Sequence, residues 1–124
     1  MMTRDEIDSF VSAWIEAFNR RDIEAVLEHF ADEVEFTSPV AEAVVGHATI
    51  AGKARLREYW QEALRRRTKM HFTLDHWIWD AERQELAIVF IRDVDGEKRR
   101  ACELLQFDAT GLVARGEALH GAAL

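Results

Sequence analysis

The sequence predicts an α+β fold, with helices gathered in the N-terminal half lying on one face of a curved, mainly antiparallel sheet built from the C-terminal half. Three observations predict it. Between Thr3 and Arg67, apolar side chains recur at helical spacing in three stretches. From Met70 to His120 they fall in four strand-length segments separated by turn signals. Within Glu85–Asp93, Leu86, Ile88 and Phe90 alternate with Ala87, Val89 and Ile91, so neither face reads as solvated and each needs a cover. Three amphipathic helices are enough to cover one face and line a pocket there, while the other face calls for a partner subunit.

The elements follow in order. Thr3 and Glu6 have capping-box spacing, and Ile7, Phe10, Val11, Trp14, Ile15 and Phe18 continue at 3.6 periodicity as a first helix. After Arg20-Arg21, Asp22 can cap a short second helix carrying Ile23, Val26, Leu27 and Phe30 on one side. Residues 33–37 alternate as a brief strand, which Ser38-Pro39 ends because proline cannot donate to a ladder. The stretch that runs through Gly46 to Gly52 reads as a loop or a brief strand. Leu56, Tyr59, Trp60, Ala63 and Leu64 mark a third helix, closed by Arg65-Arg66-Arg67, cations placed opposite the helix macrodipole. Residues 70–80, 85–94, 98–107 and 112–120 then read as a meander of four strands, with Asp95-Gly96 a strong hairpin signal and Asp108-Ala109-Thr110-Gly111 a weaker one. In the first of these strands the register is open, because Phe72/Leu74 and Trp77/Trp79 lie in opposite phase and both pairs favour burial.

Composition narrows the class. With 124 residues, 48% hydrophobic and 31% charged, the chain is read as one domain spanning 1–124 that can bury an ordinary core. A net charge of −7, from 23 acidic and 16 basic residues, argues against a nucleic-acid or anionic-membrane surface. Cys102 is the single cysteine, so no intrachain disulfide or cysteine-rich zinc site can form. No signal peptide or long apolar run is apparent, which makes a cytoplasmic protein the expectation. His29, His47, His71, His76 and His120 are scattered without the spacing of a zinc site, so no metal is expected.

The order of elements, the run Trp14-Ile15-Glu16-Ala17-Phe18-Asn19-Arg20-Arg21-Asp22, the run His29-Phe30-Ala31-Asp32-Glu33-Val34-Glu35-Phe36 and the closing Gly111-Leu112-Val113 resemble the nuclear transport factor 2-like superfamily, and more narrowly a SnoaL-like protein. The resemblance implies a cone-shaped α+β barrel with a ligand pocket, no cofactor and a homodimer formed through the outer sheet face. It does not imply one activity, since the superfamily holds isomerases, polyketide cyclases, a dehydratase and binding proteins alike. Set against ketosteroid isomerase, the general-base carboxylate falls at Ser38 before Pro39, the phenol donor at Trp14 and the acidic oxyanion donor at Glu103. Only the last keeps its chemistry: a serine hydroxyl is no base at neutral pH, and an indole donates a hydrogen bond without transferring a proton.

Strand alternation puts Arg99, Ala101, Leu105 and Phe107 on the face of Glu103. Pairing through Asp95-Gly96 sets Arg92 opposite Arg99 and Ile88 opposite Glu103, and the last hairpin brings His120 near Arg99, with Gly116 and Ala118 leaving room deeper inside. The candidate catalytic residues are therefore Glu103, as a carboxyl raised in pKa by an apolar pocket, and His120, as a general base. A glutamate salt-bridged to Arg92 or Arg99, and a histidine at the pocket rim, are the structural alternatives. Trp14, Ser38, Tyr59, Trp60, Phe90, Arg92 and Arg99 are the candidate binding residues, although helical spacing alone predicts Trp14 and Trp60 as core aromatics first and pocket lining second. The expected ligand is a hydrophobic carbonyl compound, handled by proton transfer or bound without turnover. The outward face is expected to carry Val89, Ile91, Cys102, Leu104, Val113, Leu119, Trp77 and Trp79, a patch that a symmetric dimer would bury. An interaction module that used this face for a different protein is the remaining alternative.

Overall fold

The computed structural model describes residues 2–124. Four helices and six strands follow one another as α1 (Arg4–Asn19), α2 (Ile23–Leu27), β1 (Phe30–Thr37), α3 (Pro39–Val45), β2 (Thr49–Ala51), α4 (Lys53–Arg65), β3 (Met70–Asp80), β4 (Glu85–Val94), β5 (Glu97–Phe107) and β6 (Val113–Ala123). The sheet order is β2-β1-β6-β5-β4-β3. All neighbours are antiparallel except β1 and β6, which run parallel and make the sheet mixed. The α+β expectation of helices on one face of a curved sheet holds.

Local chemistry explains most boundaries. Thr3 and Glu6 form the reciprocal capping box, and Asp22 caps α2 by accepting from the backbone of Ala25 at 3.1 Å. Asp95 and Gly96 both adopt positive φ, at 52° and 88°, as a two-residue hairpin turn of the primed type requires. The stretch through Gly46 to Gly52 does hold a brief strand, β2, whereas α3 over Pro39–Val45 is a helix the sequence reading did not contain. Ser38 stops β1 as expected, but it does so as an N-cap, accepting from Val40 N at 3.1 Å, with Pro39 in the first helical turn where a missing N–H costs nothing. The helix count is therefore four rather than three.

The register of β3 is resolved by a β-bulge. Phe72 pairs with Arg92 and Leu74 with Phe90; pairing then shifts between Leu74 and His76, so that Trp77 opposes Ile88 and Trp79 opposes Leu86. One extra residue, Asp75, changes the phase, and both Phe72/Leu74 and Trp77/Trp79 lie on the helix-facing side. Trp77 donates to Asp8 of α1 at 2.6 Å and Trp79 packs edge-on to Phe107. The two tryptophans therefore do not belong to the outer face, which corrects that expectation. Val113 is corrected likewise: a register shift beside Phe107 turns it inward, and it is fully buried.

The core lies between the helices and the inner sheet face, where Val11, Trp14 and Phe18 of α1 and Leu56 and Trp60 of α4 meet Phe30, Phe36, Leu86, Ile88, Phe90 and Leu105. Each such burial contributes about 1.5–3 kcal/mol. Two polar clamps fix the helices over the sheet. Asn19 both donates to and accepts from the backbone of Phe72, at 3.0 and 2.7 Å, tying the end of α1 to β3. Arg21, held at φ 60°, donates to the carbonyls of Leu64, Arg67 and Thr68 at 3.1, 2.9 and 3.0 Å, satisfying the open C-terminus of α4. The run Asn19-Arg20-Arg21-Asp22 is thus a structural junction.

Candidate active site

Beneath α4, the inner faces of β4, β5 and β6 leave a cavity of about 80 Å³. Its floor is Phe90 and Arg92 from β4, Glu103 from β5, and Ala118 and His120 from β6; its roof is Tyr59, Trp60, Ala63 and Leu64, with Phe36, Ser38 and Val40 at the back. Arg67, Met70 and Phe72 complete the wall near the C-terminus of α4. The volume suits a small molecule or one end of a larger one, since drug-sized ligands take about 300 Å³ or more. A wider groove of about 660 Å³ between the start of α1 and the β5–β6 turn is lined by Phe10, His29 and Phe107 among others. Glu6, its neighbour there, is already committed to the capping box. The convergence of titratable groups, rather than volume, makes the smaller cavity the candidate site.

Sheet register sets the spacing of these groups. Glu103 pairs with Ile88 on one side and Ala118 on the other, while Ala101 lies between Phe90 and His120. His120 is therefore diagonal to Glu103 on the same face, a relation that separates residues by about 7–8 Å. Small side chains at Ala101 and Ala118 leave the gap open. Gly116 does not add depth, contrary to expectation, because the ring of Phe36 fills that space: a β-carbon at Gly116 would come within 2.8 Å of it.

Glu103 is 6% exposed. Burial pushes its carboxyl up to about 8, opposed only by the positive charge of Arg92, and no hydrogen bond contributes. At neutral pH it is thus mainly a neutral acid. His120, half-buried, is pushed the other way, down to about 4, first by desolvation and then by Arg92 and Arg99. It is a neutral imidazole throughout the physiological range. Tyr59 is buried, and desolvation raises its phenol; its hydroxyl lies 3.3 Å from Ser38 Oγ. The Ser38 hydroxyl caps α3 and faces Tyr59 at the same time.

Of the residues expected at the site, Glu103, His120, Ser38, Tyr59, Trp60, Phe90 and Arg92 line the cavity together. Two do not. Trp14 stays in the core, stacked on Phe72 and edge-on to Phe18 and Phe90, with its buried Nε1 lacking a partner among the described residues. Arg99 opposes Arg92 in register, yet its guanidinium turns to Glu97 at 2.6 Å and to the Gly121 carbonyl at 2.9 Å. In the β5–β6 register His120 opposes Ala101, and a one-residue shift between the pairings of Arg99 and Ala101 sets Arg99 opposite Ala123, farther from His120. Arg67 was missed by the sequence reading. Its signal was available: Trp60, Ala63, Leu64 and Arg67 continue one helical stripe past the end of α4. Arg65 and Arg66 instead bond Glu62 on the surface, at 2.6 and 2.9 Å.

Comparison with known proteins agrees with this architecture. The chain is similar over 97% of its length, and 98% of the other's, to a SnoaL-like protein of unknown function from Burkholderia thailandensis, with 29% identity and a TM-score of 0.86. It is similar in fold to a nuclear transport factor 2-like protein from Burkholderia pseudomallei (19% identity, 90% of this chain and 88% of that one, TM-score 0.76). It is likewise similar in fold to TerC co-crystallised with polyporic acid (19% identity, 90% and 88% coverage, TM-score 0.75). No curated protein matches the sequence. Residues 11–116 match the SnoaL-like domain, which spans the clamp at Asn19 and Arg21, the cavity's roof and most of its floor; the chain belongs to the SnoaL-like domain family.

Proposed function

We propose that this domain binds a small hydrophobic carbonyl compound in the cavity under α4 and catalyses proton transfer on it. The observation that carries the reading is Glu103: a buried carboxyl group, without a hydrogen bond among the described residues, opening on a cavity with aromatic and aliphatic walls. A group with a pKa near 8 is well matched to giving and regaining a proton at neutral pH. Its O–H donates to the carbonyl oxygen, stabilising charge as an enol forms. His120, neutral at this pH, accepts and donates hydrogen bonds on the other side of the Glu103–His120 gap and receives the proton leaving carbon. Return of that proton to a different carbon gives isomerisation; its delivery from His120 to a β-hydroxyl, which then leaves as water, gives dehydration. No cofactor enters this scheme. The likeness in fold to TerC co-crystallised with polyporic acid supports a small-molecule ligand.

The test has two readings. Carbon-13 NMR of the Glu103 side-chain carboxyl should show it titrating near pH 8, and a carbonyl substrate turned over by the protein should lose turnover in Glu103→Gln and in His120→Ala. A carboxyl that titrates near 4 ends the acid role. A ligand that binds in the cavity without turnover, in the presence of a normal Glu103 titration, identifies a binding protein instead.

The outer sheet face supports the further reading of a homodimer. Ile78 and Leu119 are 57% and 44% exposed there, beside the half-buried Val89, Ile91, Cys102 and Leu104. A two-fold sheet-to-sheet contact would cover them. Light scattering should give twice the 14.3 kDa chain mass, falling to one in Leu119→Glu.

A further inference from the structure

Arg67 and Arg92 both reach the cavity, from the end of α4 and from β4. Neither forms an ion pair among the described residues, in contrast with Arg57, Arg65, Arg66, Arg83, Arg99 and Arg100, each of which has a carboxylate partner. They are close enough for Arg67 to be the leading charge that depresses the half-buried Arg92, after desolvation itself. Two converging guanidinium groups, one of them partly desolvated, carry an uncompensated cost that a bound anion removes. The acidic side chain at hand, Glu103, does not supply the countercharge at neutral pH, because it is mainly protonated. His120 is neutral and Tyr59 is a phenol, so the charge balance of the cavity is positive in an otherwise acidic protein.

Resting on the assignment of this cavity as the ligand site, we infer that its ligand is an anion, a planar acidic oxygen group such as a carboxylate attached to an apolar body, with the charged end held between Arg67 and Arg92 and the body directed toward Phe90 and Trp60. Guanidinium groups bind such oxygens bidentately, and the planar fork fixes orientation as well as affinity. The anionic end then sits beside α4's terminus, and the remainder of the molecule reaches Glu103. The inference narrows the substrate class to carbonyl compounds that carry an acid group, such as keto acids or ionised enols.

Benzoate and methyl benzoate make the test, since they share a ring and differ in charge. Binding to the full chain is followed by calorimetry at pH 7. Benzoate should bind at least about tenfold more tightly than the ester, and Arg67→Gln and Arg92→Gln should each remove about tenfold for benzoate while leaving the ester unchanged. Benzoate affinity should also fall above pH 8, where Glu103 ionises and competes for Arg92, and this fall should vanish in Glu103→Gln. Equal binding of the two probes, no binding of benzoate, or benzoate affinity untouched by both arginine variants overturns the inference. The Glu103 titration decides the acid–base reading, whereas the benzoate–ester comparison repeated in Glu103→Gln, where no carboxylate can supply the countercharge, decides the anion reading, so the two can fail separately.

Discussion

The burial of Glu103 has a measurable consequence for stability. In the unfolded chain its pKa returns to the ordinary 4.5, whereas the folded chain holds the proton to about pH 8. Above pH 4.5 the unfolded state therefore binds fewer protons than the folded one, and stability falls with rising pH until the folded carboxyl ionises as well. Each tenfold change in proton affinity is about 1.4 kcal/mol, so the interval is worth about 5 kcal/mol when fully crossed and about 3 kcal/mol between pH 5 and 8. His120 acts in the opposite sense. Its folded pKa of about 4 lies below its ordinary 6.5, so stability is lost as pH falls through that window. The two effects overlap between about 4.5 and 6.5 and offset one another, which hides each in the wild-type profile. Comparison with Glu103→Gln separates them, because His120 contributes to both proteins. Urea unfolding at half-unit steps should show the wild type losing about 3 kcal/mol relative to Glu103→Gln between pH 5 and 8. A constant difference across that range would mean that Glu103 is already ionised in the folded protein, and the argument for a neutral acid would be wrong.

Other perturbations test the frame that holds the site. Gly116→Ala drives a methyl group to 2.8 Å from the ring of the buried Phe36; a loss of about 1–3 kcal/mol is expected in urea unfolding, and an unchanged midpoint would show that the ring moves freely. Arg21→Ala removes three donors from the α4 terminus; about 2–3 kcal/mol should be lost, and hydrogen exchange in the last turn of α4 should accelerate, whereas an unaffected α4 would deny the clamp its role.

The parts of this fold legible in the sequence are those fixed by local rules. The capping box at Thr3 and Glu6, the Asp22 cap and the Asp95-Gly96 turn each involve neighbours within a few residues, and alternation from Glu85 onward sets the β4–β5 register, including Ile88 opposite Glu103. The misreadings arise where one residue type serves two outcomes or where distant chain decides. A proline after a strand both ends the strand and suits a helix start, so Ser38-Pro39 concealed α3. The bulge at Asp75 is a tertiary solution to two competing hydrophobic phases, and nothing near Asp75 announces it. Val113 turns inward because β6 must also pair in parallel with β1, whose Phe30 it opposes from more than eighty residues away. Arg99 shares a face with Glu103, as alternation required, but alternation does not say where a long side chain ends.

These distinctions bear on the two readings of Glu103. A structural glutamate would make a direct bond to Arg92 or Arg99 and would hold its proton less tightly than usual. Arg99 bonds elsewhere, Arg92 acts on Glu103 only as a nearby charge, and the carboxyl holds its proton more tightly. At neutral pH the side chain thus costs the fold stability rather than contributing to it. It follows that Glu103→Leu, close in volume and without charge, should be more stable than the wild type at pH 8 by a few kcal/mol, with the gain shrinking toward pH 4.5. Destabilisation at pH 8 would show that the carboxylate is doing structural duty after all. A gain in stability accompanied by loss of benzoate's pH dependence would place the cost of Glu103 where the cavity geometry puts it, in the chemistry between Arg92 and His120.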